Sequence, residues 1–228
     1  MRSSVASRRP LRVRFYGEGR TDRGTTVDEE SRAGFSPSHR QEGVVPILVR
    51  SICGDGGPIL RLGFRIPHLR SRNLGDRVRF AMVQCRAAKD QAVVFVKDTE
   101  GIQATFDQLA EGRQRGPQDV ATVVGAPHPK IEAWLFDSEA IKRALELRAT
   151  PAAPAAPESL SADENDPQSA KRILAQLAGR RQKKDLGVTE KEAIARCVDT
   201  SVVRTKCPSF ERFAAEVETR LRPLLVEQ

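Results

Sequence analysis

Three carboxylates fall where an extended run gives way to a turn. Glu18 follows the basic and apolar alternation Arg12–Tyr16, while Asp98 and Glu100 follow the apolar run Ala92–Val96. Residues two apart in extended chain face the same side. Asp98 and Glu100 are therefore expected to project together, with Glu18 joining them if the two strands are neighbours. Carboxylates gathered in one place raise each other's pKa unless a cation neutralises them. Hard oxygen ligands with room for water suit Mg²⁺ or Mn²⁺. Such an ion orients a phosphodiester, stabilises the charge developing on it and activates water. The same residues also fit an ordinary turn, with Asp98 capping the helix that follows and Gly101 supplying the bend. Spacing alone leaves both readings open.

Two further acids are candidates to join this set. Asp22 lies in Gly17–Asp22, a stretch without the glycine spacing or the Lys-Ser/Thr pair of a phosphate loop, and with no helix expected directly after it. Glu132 interrupts an otherwise apolar run, where an acid is seldom buried without a partner; it either completes the acidic site or pairs with Lys130 or Arg143. His128, between prolines at a strand end, reads as a loop histidine. Arg61–Arg79 carries six arginines and one acid, and Arg65, Arg70 and Arg72 are the candidates for holding nucleic-acid phosphates. A second basic cluster, Arg180–Lys184, reads as a solvated helix face. Aromatic residues do not interleave with either cluster, and no groove-reading motif occurs, so sequence-specific recognition is not expected.

The elements that must position these side chains follow from hydrophobic pattern. Arg12–Tyr16, Ile59–Ile66, Ala92–Val96 and Val120–Ala126 read as strands, the third by an unbroken apolar run of the kind found in central parallel strands. Between them the apolar spacing predicts helices over Glu42–Gly54, Leu74–Asp90 and Ile102–Gly112, the last closed by its glycine. One amphipathic helix is expected from His128 to Leu147, and a long polar loop from Thr21 to Arg40. The alternation gives an α/β fold with a mainly parallel sheet flanked by helices, over residues 1–148. Residues 149–167, rich in Pro and Ala and then acidic, read as a flexible linker or loop. A helical C-terminal region, 168–228, follows, with helices over Gln168–Ala178, Thr189–Cys197 and Ser209–Leu221.

Composition limits the classes. The chain has 228 residues, 39% hydrophobic, with 38 basic against 30 acidic side chains and a formal charge of +8. That surplus suits a polyanion such as nucleic acid or a nucleotide, and is as common in arginine-rich proteins that bind none. Four cysteines and three histidines show no zinc-site spacing, and Cys85 falls on a helix face expected to be buried. No apolar run reaches the ~18–20 residues of a membrane span, and the basic N-terminus has no apolar core of a secretory signal. A cytoplasmic location is the expectation.

The order of motifs resembles the Toprim domain: Glu-Gly-x-Thr-Asp after a first strand (Glu18 to Asp22) and Asp-x-Glu-Gly after a later buried one (Asp98 to Gly101). It is more closely similar to a bacterial Toprim-like family of unknown function. There, "GEGRTD", "VKDTEG" and the helix "IEAWLF", here Ile131–Phe136, occur in this order. The likeness runs from about Arg12 to Leu147, with a weaker echo at Cys207–Phe213. It implies a Toprim/Rossmann-like fold and a Mg²⁺ (or Mn²⁺) site. Glu18 would act as general acid/base or join the metal shell, and Asp98 and Glu100 would match the metal-binding acid pair. Glu100 departs from the family, which has aspartate there, and so puts activity in question. The implied function is a metal-dependent nuclease or phosphodiesterase in bacterial defence or DNA processing. The alternative is a non-catalytic module of the same fold that binds a nucleotide, a metal or a protein.

Overall fold

The computed structural model describes residues 9–32, 35–54, 58–69, 73–102, 104–180 and 184–226. Four parallel strands form one sheet: β1 (Leu11–Gly17), β2 (Ile59–Arg65), β3 (Ala92–Val96) and β4 (Ala121–Gly125), in the spatial order β2-β1-β3-β4. Phe15 pairs with Gly63 on one side and Val94 on the other, and Val94 with Val123. Parallel strands need crossovers and are covered on both faces. All five residues of β3 are accordingly buried.

The period of two sorts the strands' side chains. Leu11, Val13, Phe15, Val94 and Val123 face one core; Tyr16, Val93, Phe95 and Val124 face the other. Two helices, α4 (Leu74–Ala87) and α5 (Ala104–Gln114), cover the second face with Val78, Met82, Cys85 and Leu109. The first face packs α3 (Val44–Cys53) together with α6 (Ser138–Ala144), α7 (Ala170–Leu177), α8 (Val188–Cys197), α9 (Thr200–Lys206), α10 (Pro208–Arg220) and α11 (Arg222–Val226). The C-terminal helices thus share one core with the sheet. Trp134 stacks on Phe213 at 4.8 Å between centroids, and its Nε1 donates to Ser209 Oγ over 2.8 Å.

Several expectations need correction. Gly112 does not close α5, which runs on to Gln114; it lies inside the helix, where an added Cβ would land in the backbone of Gly75 on α4. The helix expected from His128 to Leu147 is two pieces, a 3-10 segment Ile131–Leu135 and α6. Asp137 divides them: its Oδ1 caps α6 by accepting from Glu139 N over 3.0 Å, and its Oδ2 accepts from Asp199 N over 2.9 Å. The stretch 21–40 is not one loop. It holds the end of a helical turn α1 (Arg20–Arg23), then α2 (Val27–Glu30) and a 3-10 turn Pro37–His39. Helix therefore does follow the glycines of Gly17–Asp22 directly. Nor was α9 anticipated.

The segment 149–167 contains a single short 3-10 turn, Pro157–Ser159, and is tied down at intervals. Ala153 N donates to Ser138 Oγ over 3.2 Å, and Glu158 Oε1 accepts from Ser209 N over 2.7 Å. Lys130 and Lys171 both donate to Glu164 Oε1, over 2.8 and 2.6 Å. All four cysteines are free, and burial raises the Cys85 thiol to about 11. Among the described residues, no helix is long and apolar enough to cross a membrane.

Candidate functional site

From β1 the chain moves outward to β2, then returns to the other side of β1 to form β3 and β4. The connections therefore diverge between β1 and β3, and in open α/β sheets the crevice at the carboxyl ends of such strands is where ligands sit. Glu18 leaves β1 there, and Lys97 and Asp98 leave β3.

Asp22 reaches this point because β1 ends in Gly17. A Cβ on Gly17 would stand 2.6 Å from that of Asp22, so glycine lets the first turn of α1 fold back under the strand. Asp22 Oδ2 accepts from the amides of Glu18 and Gly19, each over 3.0 Å. Burial nonetheless drives the Asp22 carboxyl up to about 6, against the Gly19 amide bond and with the help of the charges on Glu132 and Glu18.

Asp98 is fixed from β4's side. Thr99 and Glu100 donate their amides to Pro127 O and Pro129 O over 2.9 and 3.0 Å, and Asp98 Oδ1 accepts from Ile131 N over 3.0 Å. Desolvation holds its pKa well above the ordinary range, followed by the charges of Asp22, Glu132 and Glu18; Lys97 works against the rise. Four acids from three segments thus feel one another. Asp98 does not cap α5; its carboxylate points to the start of the 3-10 segment.

Glu132 is the most enclosed of them, 2% exposed. Its Oε1 accepts from Lys191 Nζ over 2.6 Å, while its Oε2 is buried with no hydrogen-bond partner. Lys191, equally buried, also donates to Asp185 Oδ2 over 2.9 Å. Lys191 and Asp185 were not foreseen. A signal was present: Lys191 shares a helix face with Ile194 and Ala195, where a solvent-facing lysine does not belong.

Glu100 behaves differently. Its φ is 49°, so the chain is no longer extended there, and the side chain is 54% exposed. Lys97 Nζ stands between it and Glu18, 3.8 Å from Glu100 Oε2 and 2.9 Å from Glu18 Oε2. His128 Nδ1 is bonded to Thr99 Oγ1 over 2.8 Å.

Glu18, Asp22, Asp98, Glu100 and Glu132 all line one cavity of about 340 Å³. Glu164 and Asp185 bring its carboxylates to seven, against three lysines, Lys130, Lys171 and Lys191. Such an excess of oxygen ligands, with one buried carboxylate oxygen unpartnered, fits a hard divalent cation. As the side chains stand, bonded to amides and lysines, no three His, Cys, Asp or Glu among the described residues form a ready metal-binding group. Of the basic candidates, Arg65 lines a neighbouring cavity, and Arg70 and Arg72 lie outside the described residues. The chain matches no family model, and no curated protein or solved structure is significantly similar to it.

Proposed function

We propose that the chain is a Toprim-like, Mg²⁺- or Mn²⁺-dependent phosphodiesterase acting on nucleic acid. The observation that carries this reading is the buried acid cluster at the β1/β3 crevice, with Glu132 Oε2 left without a partner. Burying carboxylates that repel one another is costly unless a cation joins them. The resemblance of the Glu18–Asp22 and Asp98–Gly101 motifs to the Toprim pattern supports the same conclusion.

In this reading Asp98, Glu132 and Asp22 hold the ion, and Glu18 stands at the mouth. The departure at Glu100 then matters less, because Glu132 supplies the carboxylate that the exposed Glu100 does not. A bound divalent ion would neutralise charge on a phosphodiester and lower the pKa of water beside it. Glu18 is half exposed, its side chain at 44%, and is placed to exchange a proton with solvent or with a reacting oxygen. Lys97 beside it contributes a fixed ammonium that can hold a phosphoryl oxygen.

A second reading has its own observation. Lys97 already pairs with Glu18, and Lys191 with one oxygen of Glu132, as in a non-catalytic binding module of the same fold. One experiment separates the two. Single- and double-stranded DNA and RNA are incubated with the protein and Mg²⁺ or Mn²⁺, alongside Asp98→Asn and Glu132→Gln. Metal-dependent cleavage lost in both variants is the expected result. Equal cleavage by wild type and variants would refute the site, and metal binding without any cleavage would favour the module.

A further inference from the structure

Next to the acid cavity lies a larger one of about 570 Å³, and Glu18 and Gly19 belong to the walls of both. Its charge is of the opposite sign. Arg20, Arg23, Arg65, Arg77 and Lys97 give five cations, against two carboxylates, Glu18 and Glu29, a net of +3 from these side chains.

Lys97 is paired with Glu18 over 2.9 Å, but internal pairing leaves the charge of the arginines largely uncompensated. Arg20, Arg65 and Arg23 all turn toward the single carboxylate of Glu29, at 3.3, 3.4 and 3.7 Å. These contacts are long for charge-assisted bonds, which run to ~2.7–2.9 Å. Glu29 is already fully ionised: although burial works the other way, the amide and hydroxyl of Thr26 and the Arg20 guanidinium hold it down to about 2. It has no further charge to give. Arg23 is 3% exposed, and its Nε has no hydrogen-bond partner; Arg77 Nε is likewise buried and unpartnered. Burial lowers the pKa of Arg23, and Arg65 and Arg20 add to that lowering. A buried donor left unbonded costs free energy that a ligand would recover.

We infer that this cavity is a phosphate subsite, which takes a phosphate of a nucleic-acid chain other than the one presented to the acids. A single carboxylate ligand would leave most of the cationic charge unmet; one phosphodiester carries the same single charge, but successive phosphates along a chain bring several charges and more acceptor oxygens. Planar guanidinium groups match that acceptor set in pairs. The shared wall at Glu18 and Gly19 lets one polyanion occupy both cavities, with its reacting phosphate at the carboxylates and a neighbouring one among the arginines. The assignment of the ligand to a nucleic acid rests on the proposed function; the phosphate chemistry does not.

The test is calorimetric titration of inorganic pyrophosphate into the full chain in EDTA, with thermal unfolding to verify each variant. Wild type should bind saturably, and Arg65→Gln and Arg77→Gln should each weaken binding about tenfold, roughly 1.4 kcal/mol. Arg65 is two-thirds exposed, so its variant decides the matter even if Arg77→Gln does not fold. Asp98→Asn should bind pyrophosphate as wild type does. Displacement of pyrophosphate by a short single-stranded oligodeoxynucleotide supports the nucleic-acid source; displacement by ADP alone overturns it. Absence of binding at millimolar pyrophosphate, or unchanged affinity in Arg65→Gln, overturns the subsite. Failure of the acid cluster would show instead as cleavage that survives Asp98→Asn, with pyrophosphate binding intact.

Discussion

Lys191 and Glu132 form an ion pair with both side chains 2% exposed, and only one of the two carboxylate oxygens is used. The lysine reaches the site from α8, 59 residues along the chain, and so ties the C-terminal helices to the acid cavity. Removing one member of a buried pair strands the other charge, at a typical cost of ~3–5 kcal/mol. Lys191→Met should therefore destabilise the protein by about that amount, followed in urea by the fluorescence of Trp134, the single tryptophan. Lys191→Met/Glu132→Leu should recover much of the loss. If Glu132 holds a cation, Mg²⁺ should also raise the melting temperature of Lys191→Met more than that of wild type. A loss below ~1 kcal/mol would mean that the pair is not buried as described.

Asp22 makes the stability depend on pH in an unusual direction. Its carboxyl rises from the ordinary 3.8 to about 6 in the fold, chiefly through burial. Between those values the folded state binds more protons than the unfolded one, so stability is fully present below about pH 4 and falls as pH rises through about 6. Asp98 is raised as well and adds to the trend. Asp22→Asn keeps an acceptor for the amides of Glu18 and Gly19 and removes the charge. It should stabilise the protein at pH 8 by roughly 1–3 kcal/mol and have little effect at pH 4. Denaturation curves at the two pH values decide it; an equal effect at both would show that Asp22 does not carry the pH dependence.

The sequence exposed the parts of this site that follow from local pattern. An unbroken apolar run such as Ala92–Val96 has few alternatives to a buried strand, and an acid directly after it must lie at the sheet's edge. Glu132 was visible as a charge inside an apolar run. What stayed hidden depends on contacts between distant segments. The weight given to Glu100 assumed extended chain, but Glu100 and Gly101 both take positive φ, 49° and 87°, and the turn separates Glu100 from Asp98. The break at Asp137 was masked because the apolar spacing continues across it, while its reason, the amide of Asp199, lies 62 residues away. The cationic cavity draws on α1, β2 and α4 at once, and no single window of sequence contains it.

Gly112 offers a test of the packing that supports the β3 side of the site. It meets Gly75 backbone to backbone where α4 and α5 cross, in the layer behind β3 and β4. In an open helix Gly→Ala stabilises by up to about 1 kcal/mol. Here the added methyl has no room, and forcing helices apart in a packed layer costs ~1–3 kcal/mol. Gly112→Ala should accordingly lower stability by about 2 kcal/mol in chemical denaturation. A gain in stability would show that the two helices do not cross as closely as described.

Ser209 joins the C-terminal region to the site through two donors at once. Its Oγ accepts from Trp134 Nε1 over 2.8 Å and from His128 N over 3.3 Å, and His128 in turn bonds Thr99, the residue after Asp98. Ser209→Ala leaves the fully buried indole N–H without an acceptor, a loss of ~1–3 kcal/mol. The same change in a Trp134→Phe background should cost less, because one of the two donors is already gone. Circular dichroism in urea measures both steps of that cycle without relying on tryptophan emission. Because the His128–Thr99 link positions the loop that carries Asp98, the proposed metal site predicts that Ser209→Ala also weakens Mg²⁺ binding in calorimetry, by an expected few-fold. Equal costs in the two backgrounds would mean that the indole hydrogen bond contributes nothing, and that the aromatic stack on Phe213 holds this junction by itself.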